Sequence, residues 1–377
     1  MCFTLPLSIS RFPSSEKLVL SNVPDSSFAI VAYMKLTTNK TGIVLMNTGV
    51  PASPDPRDIR PYLVEFLSDK NIVRVPHAIW LPILHGIIAR TRPKKTAPRY
   101  RSIWTEEGAP LLVETYKQRD ALNARFAEED LPFTAEVGMR YGKPSIEDAL
   151  QSLHEAGCDR VVAFPLFPQT ATCTVGSCKE RFLTVLSQPE FRTLFASPEL
   201  EKPSARVIEG YSDNPLYWTA IAHSISDIWE WQPGSKLLFS LHSIPLNDVE
   251  AGDTYIEEAQ HALSQVAALL DVPADDWTIA YHSRFEDSRA WAAPHPKTVL
   301  SQWADEGVQR VALITPGFAS DCLESLYDID YVMKSYFEQL CQNRGTEADV
   351  TYVPALNSRA DHIDLLLDII KKHCALL

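Results

Sequence analysis

A histidine and two carboxylates are the residues of this sequence that point most directly to chemistry. His242 ends the apolar run of KLLFSLHSIP (236–245), and Pro245 then interrupts regular strand pairing. Glu324 and Asp328 stand four residues apart in a predicted helix that follows a Pro-Gly turn, so both lie on one face of it. A histidine with one or two carboxylates suits a divalent ion such as Fe2+, or proton transfer, and the spacing does not decide between them.

Structural roles compete with both assignments. A lone histidine is commonly a hydrogen-bonded structural residue, and Glu324 in the first turn of a helix is favoured by the helix dipole alone. The position of His242, directly after an apolar run and before a proline, favours a functional role for it.

Eight short apolar runs must supply the strands that position these residues. They form two sets of four, at 42–47, 135–140, 160–167 and 206–210, and at 236–240, 277–281, 310–315 and 350–354. Continuous rather than alternating hydrophobicity is typical of strands covered on both faces, and therefore of parallel sheets. Amphipathic segments such as Ser145–Ala156 predict connecting helices. We therefore predict an α/β fold of two similar Rossmann-like lobes, each a four-stranded parallel sheet flanked by helices, with a ligand cleft between them.

The chain is predicted to divide into four parts. Residues 1–40 are rich in Ser and Pro and are interpreted as an N-terminal tail, within which Met34 is an alternative start. The N-terminal lobe is expected over 41–212 and the C-terminal lobe over 213–356. A last helix within 357–377 is expected to pack back on the N-terminal lobe.

Composition excludes several classes of protein. The formal charge of -13 argues against a nucleic-acid partner, which requires concentrated cationic surface. No apolar run reaches the roughly 20 residues of a membrane-spanning helix, although peripheral membrane contact stays open. Seven cysteines without a CxxC pair indicate reduced thiols and a cytoplasmic location. A monomer and a homodimer are equally compatible with the sequence.

Several motifs resemble those of ferrochelatases, the enzymes that insert Fe2+ into a porphyrin in haem biosynthesis, and most closely those of the soluble bacterial form. The similarity runs in order from about residue 41 to the C-terminus. Its motifs are GIVLMNTGVPASPDPRDIRPYLVEFLSDKNIV (42–73), FPLFPQTATCTVGS (164–177), FSLHSIP (239–245) with GDTY (252–255), SRF (283–285) with a downstream Trp, and PGFASDCLESLYDI (316–329).

The resemblance implies a chelatase-like fold and a division of roles at the site. The invariant histidine and glutamate of the family fall on His242 and Glu324, which it assigns to proton transfer and iron binding, with Asp328 as a further iron ligand. The implied reaction is insertion of Fe2+ into protoporphyrin IX, giving protohaem and two protons. Coproporphyrin III is the alternative substrate, and a non-catalytic porphyrin or haem carrier is the alternative function.

Porphyrin contacts are assigned by position and by the family pattern. Aromatic walls are expected from Tyr141, Phe167, Trp291 and Phe318, each of which is otherwise a core residue. Arg92, in a stretch that resembles the mobile lip of the family, is assigned to a porphyrin propionate, with a solvated basic run as its alternative. Supporting roles fall to Arg140, Asp253 and Tyr255.

The sequence departs from the family pattern at Ser243 after the histidine, Thr170 after Pro-Gln, and Glu286 after Ser-Arg-Phe. No cofactor is required by the reaction, since Fe2+ is a substrate. A [2Fe-2S] cluster, which some ferrochelatases hold on a C-terminal extension, is not expected. Only Cys374 lies near that end, and Cys173 and Cys178 lack a further pair.

Other protein classes fit less well. A sirohydrochlorin or cobalt chelatase shares the fold, but the PGFxxDCLE block and the arginine-bearing lip favour ferrochelatase. A two-lobed solute-binding protein would carry a secretory signal. A hydrolase with a Ser-His-acid set would carry a G-x-S-x-G turn.

Overall fold

The computed structural model describes residues 40–195, 205–285 and 289–374. The predicted tail lies outside these residues except for Lys40. Two four-stranded parallel sheets form the frame of the described chain, as predicted from the eight apolar runs. Their strands are β1 Thr41–Asn47, β2 Phe133–Met139, β3 Arg160–Pro165, β4 Ala205–Val207, β5 Ser235–His242, β6 Trp277–His282, β7 Arg310–Ile314 and β8 Asp349–Val353.

The two sheets repeat one topology. The first has the order β2-β1-β3-β4 and the second β6-β5-β7-β8, so the earliest strand of each set is central and every pairing is parallel. Burial explains why the central strands are continuously apolar. In β1, Ile43 faces one hydrophobic cluster and Val44 faces another on the opposite side of the sheet. Both faces of the strand are therefore covered.

One core joins the two sheets. Ile43 and Leu45 of β1 belong to the same buried cluster as Leu237 and Phe239 of β5. Leu238, which points to the other face of β5, belongs to a separate cluster. The inner faces of both sheets therefore pack into a shared interior.

Helices connect the strands, as parallel pairing requires. The predicted helix at 145–156 is confirmed as Ile146–Glu155, where the Ser145 hydroxyl accepts the Asp148 N–H and the Asp148 carboxylate accepts the Ser145 N–H. The α-helices are α1 Pro56–Ser68, α2 His77–Ile83, α3 Ala89–Ile103, α4 Pro110–Glu128, α5 Ile146–Glu155, α6 Ser177–Leu186, α7 Pro189–Leu194, α8 Pro215–Ser226, α9 Leu246–Glu250, α10 Tyr255–Leu269, α11 Pro296–Asp305, α12 Lys334–Asn343 and α13 Ala360–Cys374.

Within the described residues, three segments adopt π-helix geometry, with hydrogen bonds between residues i and i+5: Leu84–Ile88, Thr172–Gly176 and Glu324–Met333. The last is ten residues long and begins at Glu324. The helix predicted after the Pro-Gly turn therefore starts as a π-helix and continues as α12. Such segments are rare and occur frequently at functional sites.

The last helix, α13, contacts α4 and α8. Ion pairs join Asp364 of α13 to Arg125 of α4, and Lys371 to Glu129 just beyond it. Since α4 precedes β2, these contacts attach the C-terminal helix to the first sheet. Within the described ranges, no helix combines the length and apolarity needed to span a membrane.

Candidate active site

His242 is the last residue of β5, at the carboxyl end of the second sheet. Its ring is half-buried, and Nδ1 lies 2.8 Å from the carbonyl oxygen of Ser243. A carbonyl only accepts hydrogen bonds, so Nδ1 carries the hydrogen in the neutral ring. The lone pair is therefore on Nε2, where it can take a proton or bind a metal ion.

Two neighbours hold the backbone around His242. Ser243 is buried, its N–H donates to the His282 carbonyl at 2.8 Å, and its hydroxyl donates to the Ala292 carbonyl at 3.1 Å. The departure from the family pattern at Ser243 thus adds a hydrogen bond inside the site. The Tyr255 hydroxyl contacts the His242 backbone N–H, and burial raises the pKa of Tyr255 well above its usual value.

His282 is a second histidine at the site that the sequence analysis did not select as a functional residue. It ends β6, is 2% exposed, and its Nδ1 lies 2.8 Å from the Ser240 hydroxyl. Burial, followed by the charges of His242 and His295, holds the pKa of His282 well below its usual value. The ring is therefore neutral at physiological pH. Its place at the end of a strand beside β5 is the signal that could have identified it.

Glu324 and Asp328 both face the same region from the π-helix. Ser283 donates to Asp328 Oδ2 at 2.9 Å, and Arg99 Nη1 lies 3.8 Å from Oδ1. Burial and then the charge of Glu324 raise the pKa of Asp328, against the opposing effects of Ser283, Arg99 and His242. The fold therefore brings Asp328 within electrostatic reach of both Glu324 and His242. Across the described ranges, however, no three His, Cys, Asp or Glu side chains meet as a preformed metal cage.

Buried hydroxyl and thiol groups lie near Glu324, and they were not predicted from the sequence. Tyr62 donates to the Gly49 carbonyl at 3.1 Å, and the Tyr100 hydroxyl lies against that of Tyr62. Burial, with a further contribution from Glu324, raises the pKa values of Tyr62, Tyr100 and Cys322. These groups remain protonated and can act as hydrogen-bond donors near the carboxylate.

Phe318 borders His282, and Trp291 lies beside the loop that follows His242. The Phe318 ring centre is 6.0 Å from that of His282. Trp291 packs edge-on against Phe285 at 5.6 Å, and its backbone bridges to Pro245. Both rings are half-buried, so each retains surface for a ligand.

The other two predicted aromatic residues belong to the core. Tyr141 is 2% exposed, packs edge-on against Phe66 at 5.0 Å and donates to Asp69 Oδ2 at 2.8 Å. Phe167 is 5% exposed and lies in the cluster that contains Val44. Their expected role as porphyrin walls is corrected to packing, because neither buried ring has surface left for a ligand.

The two predicted arginines differ in environment. Arg140 pairs with Asp69, and its Nε lies 2.7 Å from the Ser177 hydroxyl, so it holds the first sheet's loops together. Arg92 is exposed on α3, and its guanidinium carbon lies 5.8 Å from the Phe285 ring centre. The Arg92 side chain therefore extends from α3 toward the segment that carries Phe285 and Trp291.

The remaining predicted residues brace neighbouring loops. Asp253 accepts the N–H groups of Thr172 at 2.7 Å and of Tyr255 at 3.0 Å. The Thr170 N–H donates to Glu258 Oε2 at 2.8 Å. Glu286 lies outside the described residues.

Comparison with known proteins places these features in a family. A family model described as ferrochelatase matches residues 40–374. A ferrochelatase of Azoarcus sp. (strain BH72) is 38% identical over 332 residues, covering 88% of this chain and 86% of that protein. A ferrochelatase of Methylococcus capsulatus is 36% identical over 346 residues, covering 91% and 99%. Among solved structures, SirB from Bacillus subtilis with Fe3+ aligns with a TM-score of 0.49 at 12% identity, covering 89% of this chain and 96% of that one.

Proposed function

The chain belongs to the ferrochelatase family, and we propose that it inserts Fe2+ into protoporphyrin IX to form protohaem with release of two protons. It is a lyase of the metal-inserting type. The observation that carries the residue assignment is the hydrogen bond from His242 Nδ1 to the Ser243 carbonyl, which directs the imidazole lone pair to Nε2.

His242 is the proposed acceptor of a pyrrole proton. Metal insertion requires two N–H protons to leave the ring as the iron–nitrogen bonds form, so a base must stand at the ring face. A neutral imidazole with a free Nε2 lone pair suits that step, because this nitrogen can accept a proton and later release it. The brace from Tyr255 and the buried neighbour His282 keep the ring in place.

Glu324 and Asp328 are proposed to receive Fe2+, together with His242. Carboxylate and imidazole groups suit a borderline divalent ion. Support comes from the electrostatic coupling of Asp328 to both other residues. The fixed hydrogen bond from Ser283 orients the Asp328 carboxylate for this role.

Phe318 and Trp291 are the proposed aromatic contacts of the porphyrin, since both rings keep exposed surface, Phe318 next to His282 and Trp291 next to Phe285. Arg92 is the proposed partner of a propionate, because a guanidinium binds a carboxylate through two hydrogen bonds. The proposed reaction requires no redox cofactor, since the oxidation state of the iron does not change. The buried Cys178 and half-buried Cys173 are proposed to be structural thiols and not cluster ligands.

We also propose a cytosolic reaction with peripheral membrane contact. The free thiols of the described cysteines are typical of a reducing compartment. In the segment that precedes α3, Val75, Ile79, Ile83 and Ile87 are 39% to 61% exposed at intervals of four residues. An apolar stripe of this kind favours contact with the surface of a bilayer.

Anaerobic insertion of Fe2+ tests the proposal, with protoporphyrin IX and coproporphyrin III assayed in parallel. Wild type is expected to turn over protoporphyrin IX, and His242→Ala is expected to bind it without turnover. His223→Ala, which changes an exposed histidine, is the matched control and should keep wild-type activity. A preference for coproporphyrin III would show that this porphyrin, and not protoporphyrin IX, is the substrate. Tight porphyrin binding by wild type with no insertion would identify a carrier instead.

A further inference from the structure

The amide of Gln118 links the two halves of the molecule beside the site. Gln118 lies on α4 and is 0% exposed. Its Nε2 is 3.1 Å from the Ala319 carbonyl, 3.0 Å from the Ser320 hydroxyl and 2.9 Å from the Asn357 carbonyl. The helix precedes β2 of the first sheet, whereas the acceptors follow β7 and β8 of the second. One side chain thus ties α4 to two loops of the other half.

The loop that Gln118 holds leads directly to Glu324. Ala319 and Ser320 stand between the end of β7 and the first residue of the π-helix. The same loop packs against α4 through apolar contacts, since Phe318, Cys322 and Leu111 belong to one cluster. This contact with α4, together with the contacts of the π-helix with α3, therefore sets the position of Glu324 relative to the first half of the molecule.

A second network fixes the loop to its own half. Asp321 accepts hydrogen bonds from Ser325 at 2.9 Å, from Tyr352 at 2.7 Å and from the Asn357 side chain at 2.8 Å. The Asp321 N–H in turn donates to Asn357 Oδ1 at 2.8 Å. Asn357 therefore connects the network around Asp321 to the amide of Gln118.

The three hydrogen bonds of Gln118 differ in how far their acceptors depend on it, since the buried Ser320 hydroxyl would lose its bond to the amide but the two carbonyls have other donors. The Ala319 carbonyl also accepts the Asn357 N–H at 2.9 Å, and the Asn357 carbonyl also accepts His362 Nδ1–H at 2.6 Å. Both carbonyls would stay bonded without Gln118. The Oε1 atom of Gln118 is itself buried without a hydrogen-bond partner in the described structure. An unsatisfied buried oxygen has a free-energy cost, which offsets part of the stability that the amide hydrogen bonds contribute.

We propose that Gln118 is a positioning residue for metal insertion. It fixes the position of Glu324 relative to the half of the molecule that carries Arg92. The inference rests on the proposed function, because it assigns Glu324 to Fe2+. Gln118 itself touches neither substrate. A loop displaced by a fraction of an ångström would still bind porphyrin, but it would present the carboxylate poorly to the reacting centre.

Gln118→Met tests the proposal, since methionine has similar volume and lacks both amide groups. Porphyrin Kd, measured by fluorescence quenching, should stay within about twofold of wild type, while kcat for Fe2+ insertion falls about tenfold or more. Tm should change by only about 5 °C or less. Thr115→Val is the matched control, because Thr115 is equally buried on the same helix. Its hydroxyl donates to the Leu111 carbonyl and accepts the Asn47 amide at 3.5 Å but does not contact the loop, so kcat should not change.

Two further variants separate positioning from folding. Ser320→Ala removes one of the three acceptors and should lower kcat in the same direction, which keeps the test available if Gln118→Met does not fold. In a Glu324→Asp background, Gln118→Met should cost little further activity, because residues that act through one another are not additive.

An unchanged kcat in folded Gln118→Met would overturn the proposal. A rise in porphyrin Kd at constant kcat would overturn it too, since the amide would then act on porphyrin binding. Full additivity with Glu324→Asp would show that Gln118 does not work through Glu324. By contrast, wild type that binds porphyrin without inserting iron would refute the proposed function, independently of these comparisons.

Discussion

His242 and His282 are register partners at the ends of β5 and β6, and their ring centres lie 5.7 Å apart at an interplanar angle of 72°. The first ring is half-buried, whereas the second is enclosed and neutral. His282 therefore places an uncharged ring beside His242.

The hydrogen bond between His282 and Ser240 is expected to support the site. His282→Asn can still place a polar atom near the Ser240 hydroxyl and should retain kcat within about threefold. His282→Leu leaves that buried hydroxyl unpaired, so it should lower the free energy of unfolding by about 1–3 kcal/mol and reduce kcat further. Urea unfolding and iron-insertion assays on both variants check this. Equal behaviour of the two would argue against a role for the bond.

Ser243→Gly is expected to affect stability more than catalysis. The change removes the hydrogen bond to the Ala292 carbonyl and loosens the backbone, so the free energy of unfolding should fall by about 1–2 kcal/mol. Glycine keeps the carbonyl that accepts His242 Nδ1–H, so kcat should stay within about threefold of wild type. Ser243→Ala removes the hydroxyl without the added backbone freedom of glycine, so comparing the two variants separates these effects. A collapse of kcat in Ser243→Gly at unchanged stability would contradict this account.

Arg74→Met should destabilise the fold in a pH-dependent way. Arg74 lies 2.8 Å from Asp248, whose side chain is 6% exposed. Burial raises the pKa of Asp248 and the arginine opposes that rise, so the variant raises the pKa further. At pH 7 the free energy of unfolding should fall by about 1–3 kcal/mol, less than for a fully buried pair because the arginine is partly exposed.

The sign of the pH effect follows from that raised pKa. A carboxyl group with a raised pKa in the folded state loses stability as pH rises through that pKa and regains it as pH falls. The deficit of Arg74→Met relative to wild type should therefore shrink near pH 4 in urea titrations. Asp248→Asn in the same background should restore stability at pH 7, and a deficit independent of pH would disprove the mechanism.

His362 is expected to contribute to acid unfolding. Burial lowers its pKa from 6.5 to about 4, against the opposing hydrogen bond to Asn357 and the charge of Asp361. Since the unfolded chain binds a proton at higher pH, stability is lost as pH falls from about 6.5 toward 4, up to roughly 3 kcal/mol. His362→Gln should lose less stability over this range in urea unfolding. His223→Gln, at an exposed position, should follow wild type.

Several elements were predictable because their signals are local. The strands β1 and β5 are continuously apolar since both of their faces are covered, and that pattern is visible without a partner strand. The helix from Ile146 follows a serine with an aspartate three residues later, which is a capping signal within one turn. The position of His242 at the end of a strand was predicted from the same kind of local pattern.

Other assignments depended on partners far away in the chain. Tyr141 follows β2 as a possible wall residue would, yet it is buried because Asp69 and Phe66 meet it from α1 and its end. Arg140 is held by that same Asp69. Glu286, where the sequence departs from the family pattern, lies outside the described residues.

The sequence by itself determined the α/β class, the two matched sets of strands, the family and the address of His242, because each depends on order and periodicity along a few residues. Only the tertiary structure decided that His282 is buried beside His242, that Phe167 faces a core cluster, and that Gln118 holds the loop before Glu324. Burial, pKa and hydrogen bonding of a side chain are set by neighbours in space, and these neighbours lie up to 239 residues apart in the chain.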